Sequence, residues 1–193
     1  MKKYFLFFIS CFVLIVVSFL QLDCSSPKMT NEELVAKGKN LVLFGGCNDC
    51  HTPKMMTAMG PVPDTTRLLS GHPANQPIPL YDAALTAPGK WVLTDDGTTM
   101  WLGPWGASFT ANLTPDSSTG IGAWTLDNFI KTMRTGKHLG TGRGLLPPMP
   151  WQGIGSLSDE DLAAIFAYLK SIPPINNRVP NPIPPNLPSD KKD

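Results

Sequence analysis

The chain has 193 residues with 16 basic and 15 acidic side chains, a formal net charge of +1. Setting aside Lys2, Lys3 and Asp23 leaves 14 basic against 14 acidic, a balance that gives no ground for nucleic-acid binding or strong electrostatic steering. The length suits one domain with attachments, and 20 prolines with 17 glycines put much of it into loops and turns.

Lys2 and Lys3 precede an uncharged run from Tyr4 to Leu20, 17 residues long. That exceeds the usual signal core of about 7–15 residues and reaches the lower limit, about 17, for a spanning helix. Residues 1–23 therefore read as an export element, a signal peptide or a membrane anchor, outside the fold. Cys24, followed by Ser25, Ser26 and Pro27, resembles the lipidated cysteine of a bacterial lipoprotein, although Gln21 and Asp23 depart from that pattern. An uncleaved transmembrane helix is the alternative. Both readings place the domain on the periplasmic side of a membrane and tethered to it, with residues 24–29 as a linker.

A domain over residues 30–174 opens at Thr30. The run Thr30-Asn31-Glu32-Glu33 has the form of a capping box, in which the Thr30 hydroxyl and the Glu33 carboxylate each take a backbone amide of the other residue. Leu34, Gly38, Leu41 and Val42 recur near helical spacing, so a helix leads into Gly45-Gly46. Gly38 costs about 1 kcal/mol in a helix interior relative to alanine, a cost that close approach of another helix would justify.

Cys47-Asn48-Asp49-Cys50-His51 follows. Two thiols two residues apart with a histidine immediately after the second form the C-x-x-C-H pattern of covalent haem attachment. Each thiol would add across one vinyl group, and the His51 imidazole would reach the iron from the proximal side. A thioredoxin-like motif would need a βαβ setting that is missing here. A zinc site would need a second ligand pair, whereas Cys11 lies in the apolar run, Cys24 is the candidate lipid site, and no closely spaced histidine pair exists.

From Thr52 to Ser108 prolines 53, 61, 63, 73, 77, 79, 88 and 104 break any long helix, so this is a long, mostly irregular insertion. Within it Asp95-Asp96-Gly97-Thr98, flanked by Trp91-Val92-Leu93-Thr94 and Thr99-Met100-Trp101-Leu102, predicts a small hairpin. Trp91, Trp101 and Trp105 would cover a cofactor edge or, as the first expectation, form a local minicore. A second helix starts at Thr125, buries Leu126, Phe129, Ile130 and Met133, and stops at Gly136. Gly140-Thr141-Gly142-Arg143-Gly144 lacks the strand and the Lys-Ser/Thr ending of a phosphate loop and reads as a flexible connection. Ser158 caps a last helix with Leu162, Ile165, Phe166 and Leu169 as its buried stripe, ended by Pro173-Pro174. Residues 175–193 form a proline-rich tail, extended or wrapped on the surface.

The opposite axial ligand decides between a carrier and an open catalytic site. His72 and His138 stand in loops where a solvated histidine is the default, and Met55, Met56 and Met59 follow the motif too closely to reach the other face. Met133 belongs to a core stripe. Met149 lies in Leu145-Leu146-Pro147-Pro148-Met149-Pro150-Trp151, where three prolines can hold a thioether in place with little entropy left to lose. It is the expected distal ligand; a buried methionine beside an aromatic is the alternative.

With these residues placed, the chain resembles the class I cytochrome c domain family, and within it the monohaem c modules associated with bacterial membrane-bound dehydrogenases. The resemblance rests on Gly38 through Cys47–Pro53, on Asn112-Leu113-Thr114-Pro115-Asp116 with Thr119-Gly120-Ile121-Gly122-Ala123-Trp124, on Arg134-Thr135-Gly136, on Pro148-Met149-Pro150-Trp151 and on Leu157–Leu169. It covers about residues 30–180. It implies an all-α, cytochrome c-like helical domain around one haem, with the first and last helices crossing at Gly38. It also implies that Asn112, Trp124 or Arg134 lies near the haem edge or propionates.

The expected function is electron transfer, with His51 and Met149 retained on one covalent haem c in both redox states. The expected partners are a donor dehydrogenase, an acceptor oxidase or cytochrome, and the membrane through the anchor or lipidated Cys24. An enzyme, such as a small peroxidase using Asp159 or Glu160 as an acid/base group, and a haem-based sensor are the alternatives.

Overall fold

Three of the helices begin at side-chain caps. The computed structural model describes residues 29–185. Helix α1 spans Asn31–Phe44, and Thr30 and Glu33 form the expected capping box. The haem-type motif is itself a short helix, α2 (Cys47–His51). Helix α3 (Leu126–Thr135) starts at a Thr125 cap and ends at Gly136 in the left-handed region. Helix α4 covers Trp151–Gly155, and α5 (Asp159–Ser171) starts at Ser158, whose hydroxyl accepts from the Asp161 amide.

Helices α1 and α5 cross in close contact. A Cβ on Gly38 would overlap the carbonyl of Ala164, so only glycine lets the two backbones approach this far. Around this crossing Val42, Leu69, Ile121, Phe129, Met133, Leu162, Ile165 and Leu169 form the main core. Leu69 belongs to the proline-rich insertion, so that segment is anchored in the same core as the helices.

The all-α expectation does not hold. Among the described residues the insertion carries two antiparallel sheets. One pairs β1 (Lys54–Thr57) with β2 (Gly60–Pro63), Lys54 opposite Pro63. The other has the order β3 (Leu93–Thr94), β4 (Met100–Gly103), β5 (Gly106–Phe109). The physical reason is the density of prolines, which excludes long helices but permits short two- and three-stranded pieces. The hairpin around Asp95–Thr98 forms as expected, with Leu93 opposite Leu102. Its minicore is Met100, Leu102 and Ala107, with Tyr81, Leu93, Phe109 and Ile183 against it. The three tryptophans are not its substance, and Trp91 is exposed.

The C-terminal segment lies back over the insertion. Ile183 and Ala107 exchange backbone hydrogen bonds of 2.8 and 3.0 Å, and the Asn177 amide donates to the carbonyls of Ser70 and His72. Residues 1–28 and 186–193, including the Tyr4–Leu20 run and Cys24, lie outside the described residues. Among the described residues no helix is long and apolar enough to cross a membrane.

Candidate functional site

Helix α2 holds Cys47, Cys50 and His51 on one turn and a half of backbone. Its C-terminal carbonyls are satisfied by Lys54, whose Nζ donates to the carbonyls of Asn48, Asp49 and Thr52 at 3.4, 2.9 and 2.7 Å. The Thr52 hydroxyl donates to Asn48 Oδ1 at 3.1 Å and accepts the Leu69 amide at 2.9 Å. The motif is thereby tied to the core through the insertion.

His51 is buried and held at two points. Its carbonyl accepts from the Gly71 amide at 2.7 Å, and its Nδ1 lies 2.8 Å from the Ala111 carbonyl oxygen. A carbonyl only accepts, so Nδ1 carries the proton and Nε2 keeps its lone pair. Burial pulls the imidazole pKa down, against the smaller opposing effect of the Ala111 hydrogen bond. The ring is therefore neutral at neutral pH, as a metal ligand must be. Burial likewise pushes the thiols of Cys47 and Cys50 up, so both rest as neutral thiols.

These residues open onto a cavity of about 380 Å³. Cys47, Cys50 and His51 line it together with Met149, so the four residues singled out from the sequence meet around one space. Its walls are mainly apolar: Phe109, Ala111, Leu113, Leu145, Leu146, Pro147, Pro148 and Ile154. Met149 comes to it on a loop tied at its start by the Leu145 amide on the Gly136 carbonyl (2.7 Å) and turned locally by the Trp151 amide on Met149's own carbonyl (2.9 Å). A Cβ at Gly136 would overlap the Trp151 ring, so this glycine also lets the ring that follows Met149 sit against the end of α3.

The space fits a flat, largely apolar cofactor with an acidic edge. The donor set is one imidazole nitrogen, one thioether and two thiols, a combination suited to a covalently held haem. For the acidic edge the cavity offers Arg143 and the Thr110 hydroxyl, which is buried without a hydrogen-bond partner. Trp101 also lines the cavity, its indole N–H donating to the Thr98 carbonyl at 3.0 Å.

Three expectations are corrected here. Asn112, Trp124 and Arg134 do not line the cavity. Asn112 instead holds the C-terminal segment, donating to the Ile175 carbonyl at 2.8 Å. Trp124 packs edge-on against His138, and Arg134 bonds the Gly155 carbonyl and pairs with Asp159 at 2.6 Å. Second, His72 is not solvated but fully buried. Its Nδ1 lies 2.9 Å from Thr99 Oγ1, whose proton goes to Asp95 Oδ2 at 3.1 Å, so Nδ1 is the donor, and its amide donates to the Thr110 carbonyl. Third, Arg143, read as part of a flexible loop, stands at the cavity; the only signal for it in the sequence is a lone cation just ahead of the methionine loop. Asp159 and Glu160 are engaged with Arg134 and Lys37 and do not line the cavity.

No family model matches the chain. The chain is 27% identical over 154 residues to the gluconate 2-dehydrogenase cytochrome c subunit of Pantoea cypripedii, covering 80% of this chain and 26% of that one. It is 38% identical over 66 residues to the fructose dehydrogenase cytochrome subunit of Gluconobacter japonicus, covering 34% and 13%. It is 35% identical over 81 residues to the cytochrome c subunit of the quinone alcohol dehydrogenase of Gluconobacter oxydans, covering 40% and 17%. The chain thus spans about a quarter or less of the curated relatives it matches. Over the matched stretches it is similar to cytochrome c subunits of dehydrogenases.

Proposed function

We propose that the chain is a monohaem electron carrier and not itself a dehydrogenase. One haem c is held covalently by Cys47 and Cys50, with His51 and Met149 as axial ligands, in a domain over residues 30–174 that residues 175–185 strap. The observation that carries this reading is the convergence of one neutral imidazole, one thioether and two thiols on a single apolar cavity.

When bound, a haem supplies reversible one-electron chemistry at its iron. The protein's residues do the rest. Ala111 fixes the tautomer and direction of His51. The leucines, prolines and Phe109 exclude water from the space between the ligands. Arg143 and Thr110 offer donors to the acidic groups of the cofactor. A thioether opposite an imidazole favours a higher potential than two imidazoles would. The names of the relatives support a dehydrogenase as electron donor, and the acceptor in this proposal is an oxidase or another cytochrome. The apolar run after Lys2-Lys3 and Cys24 supports an exported, membrane-tethered protein on the periplasmic side.

Mass spectrometry of the denatured protein, produced in a host that matures c-type cytochromes, tests the attachment. The mass of one haem added to the chain is expected. Its loss from the Cys47→Ser, Cys50→Ser double variant is expected too, and a chain without added mass would refute the proposal.

A further inference from the structure

The methionine loop is poor in backbone donors, because Pro147, Pro148 and Pro150 have no N–H. Beyond the tie at Leu145 it gains a link to a different part of the molecule. The Ser108 hydroxyl donates to the Pro147 carbonyl at 2.7 Å, across 39 residues of sequence. Ser108 is buried on β5, opposite Trp101 on β4. The Trp105 indole N–H donates to Ser108 Oγ at 3.3 Å, which occupies a lone pair of the hydroxyl and leaves its proton for Pro147. The strand itself is fixed from the far side by Ile183, which pairs with Ala107 next to Ser108. Both Ser108 and Pro147 line the cavity.

From this we infer that Ser108 is a positioning residue for Met149. The sheet, braced by the C-terminal segment, holds the methionine loop over the cavity through this one hydroxyl. The inference rests on Met149 being an iron ligand, and it assigns the β-structured insertion a task in the site. Loss of the hydroxyl leaves the Pro147 carbonyl without its donor and lets the loop swing away more readily, by about the strength of one ordinary hydrogen bond, roughly fivefold in the equilibrium between held and released methionine.

The test uses the oxidised, haem-loaded full chain and titrates it with imidazole, which competes with the thioether for iron. The readout is the far-red methionine-to-iron charge-transfer band. Ser108→Ala is expected to take up imidazole about fivefold more tightly, and Ser108→Thr, which keeps the hydroxyl and suits a strand, to match the parent. Trp105→Phe frees the hydroxyl to turn and is expected to shift the titration in the same direction by a smaller amount. That variant decides the matter if Ser108→Ala does not fold. Unchanged imidazole affinity in Ser108→Ala, or in Trp105→Phe where the former fails to fold, would overturn the positioning role. A parent protein without the band would instead overturn the Met149 assignment on which the inference rests.

Discussion

His51 Nδ1 lies 2.8 Å from the carbonyl oxygen of Ala111, a residue 60 positions further along the chain. This contact sets the imidazole tautomer, and the insertion exists in part to make it. The segment just after Leu69 runs alongside this contact and bonds on both sides of it: Gly71 donates its amide to the His51 carbonyl, and His72 donates its own to the Thr110 carbonyl, next to Ala111. The His51 residue is therefore oriented by backbone from two other, separated stretches of sequence.

Gly71 is the pivot of that arrangement. Its φ is +78°, and a Cβ there would press on the backbone of Thr110 and Ala111. Gly71→Ala is expected to destabilise the protein by roughly 1–3 kcal/mol, as an overpacked site does, with strain from the positive φ adding to it. Urea unfolding of the haem-loaded protein measures this. A midpoint equal to the parent's would show that Ala111 is not held against His51 through Gly71.

Arg143 is the cation at the cavity. With the proposed haem in the cavity that Arg143 lines, removing this positive charge would favour the oxidised, more positive state, so Arg143→Ala should lower the midpoint potential. The side chain is exposed, so an effect worth about 0.2–1 kcal/mol, or roughly 10–40 mV for one electron, is expected. Potentiometric titration at low ionic strength checks it, and added salt should shrink the difference.

Asp116 accepts from the Thr119 hydroxyl and amide, both at 2.7 Å, and from the Ser118 hydroxyl and amide at 2.9 and 3.1 Å. Thr119 and then Ser118 hold its carboxyl down to about 2. The folded value lies below the unfolded one of about 3.9. Its stabilising effect is therefore complete above about pH 4 and is lost as the pH falls through about 2. Asp116→Asn, which cannot ionise, should show a shallower loss of stability across that window than the parent. Thermal melts between these pH values make the comparison, and parallel curves would contradict it.

What could be read from the sequence was what local chemistry dictates. The caps at Thr30, Thr125 and Ser158 and the Asp-Gly turn of one hairpin each depend on residues within a few positions of one another. Gly38 also announced its contact, because a glycine inside a helix asks for a reason. The β1–β2 hairpin escaped notice because Pro61 and Pro63 read as breakers, whereas a short exposed ribbon tolerates them at positions that give up no needed hydrogen bond. The same holds for the site. The haem-type motif and the proline-bound methionine are local signals. Arg143, Ser108 and Thr110 reach the cavity only because the sheet and the loops fold over it, and the burial of His72 depends on Thr99 and Thr110, which lie far from it in sequence.

The central claim is that His51 and Met149 hold one haem iron between them. The absorption spectrum of the oxidised, haem-loaded protein beside that of Met149→Ala tests it most directly. The parent is expected to show a far-red methionine-to-iron band that the variant lacks, and fast carbon monoxide binding is expected of the reduced variant alone. A band that survives in Met149→Ala, or a reduced parent that binds carbon monoxide as fast as the variant, would contradict it.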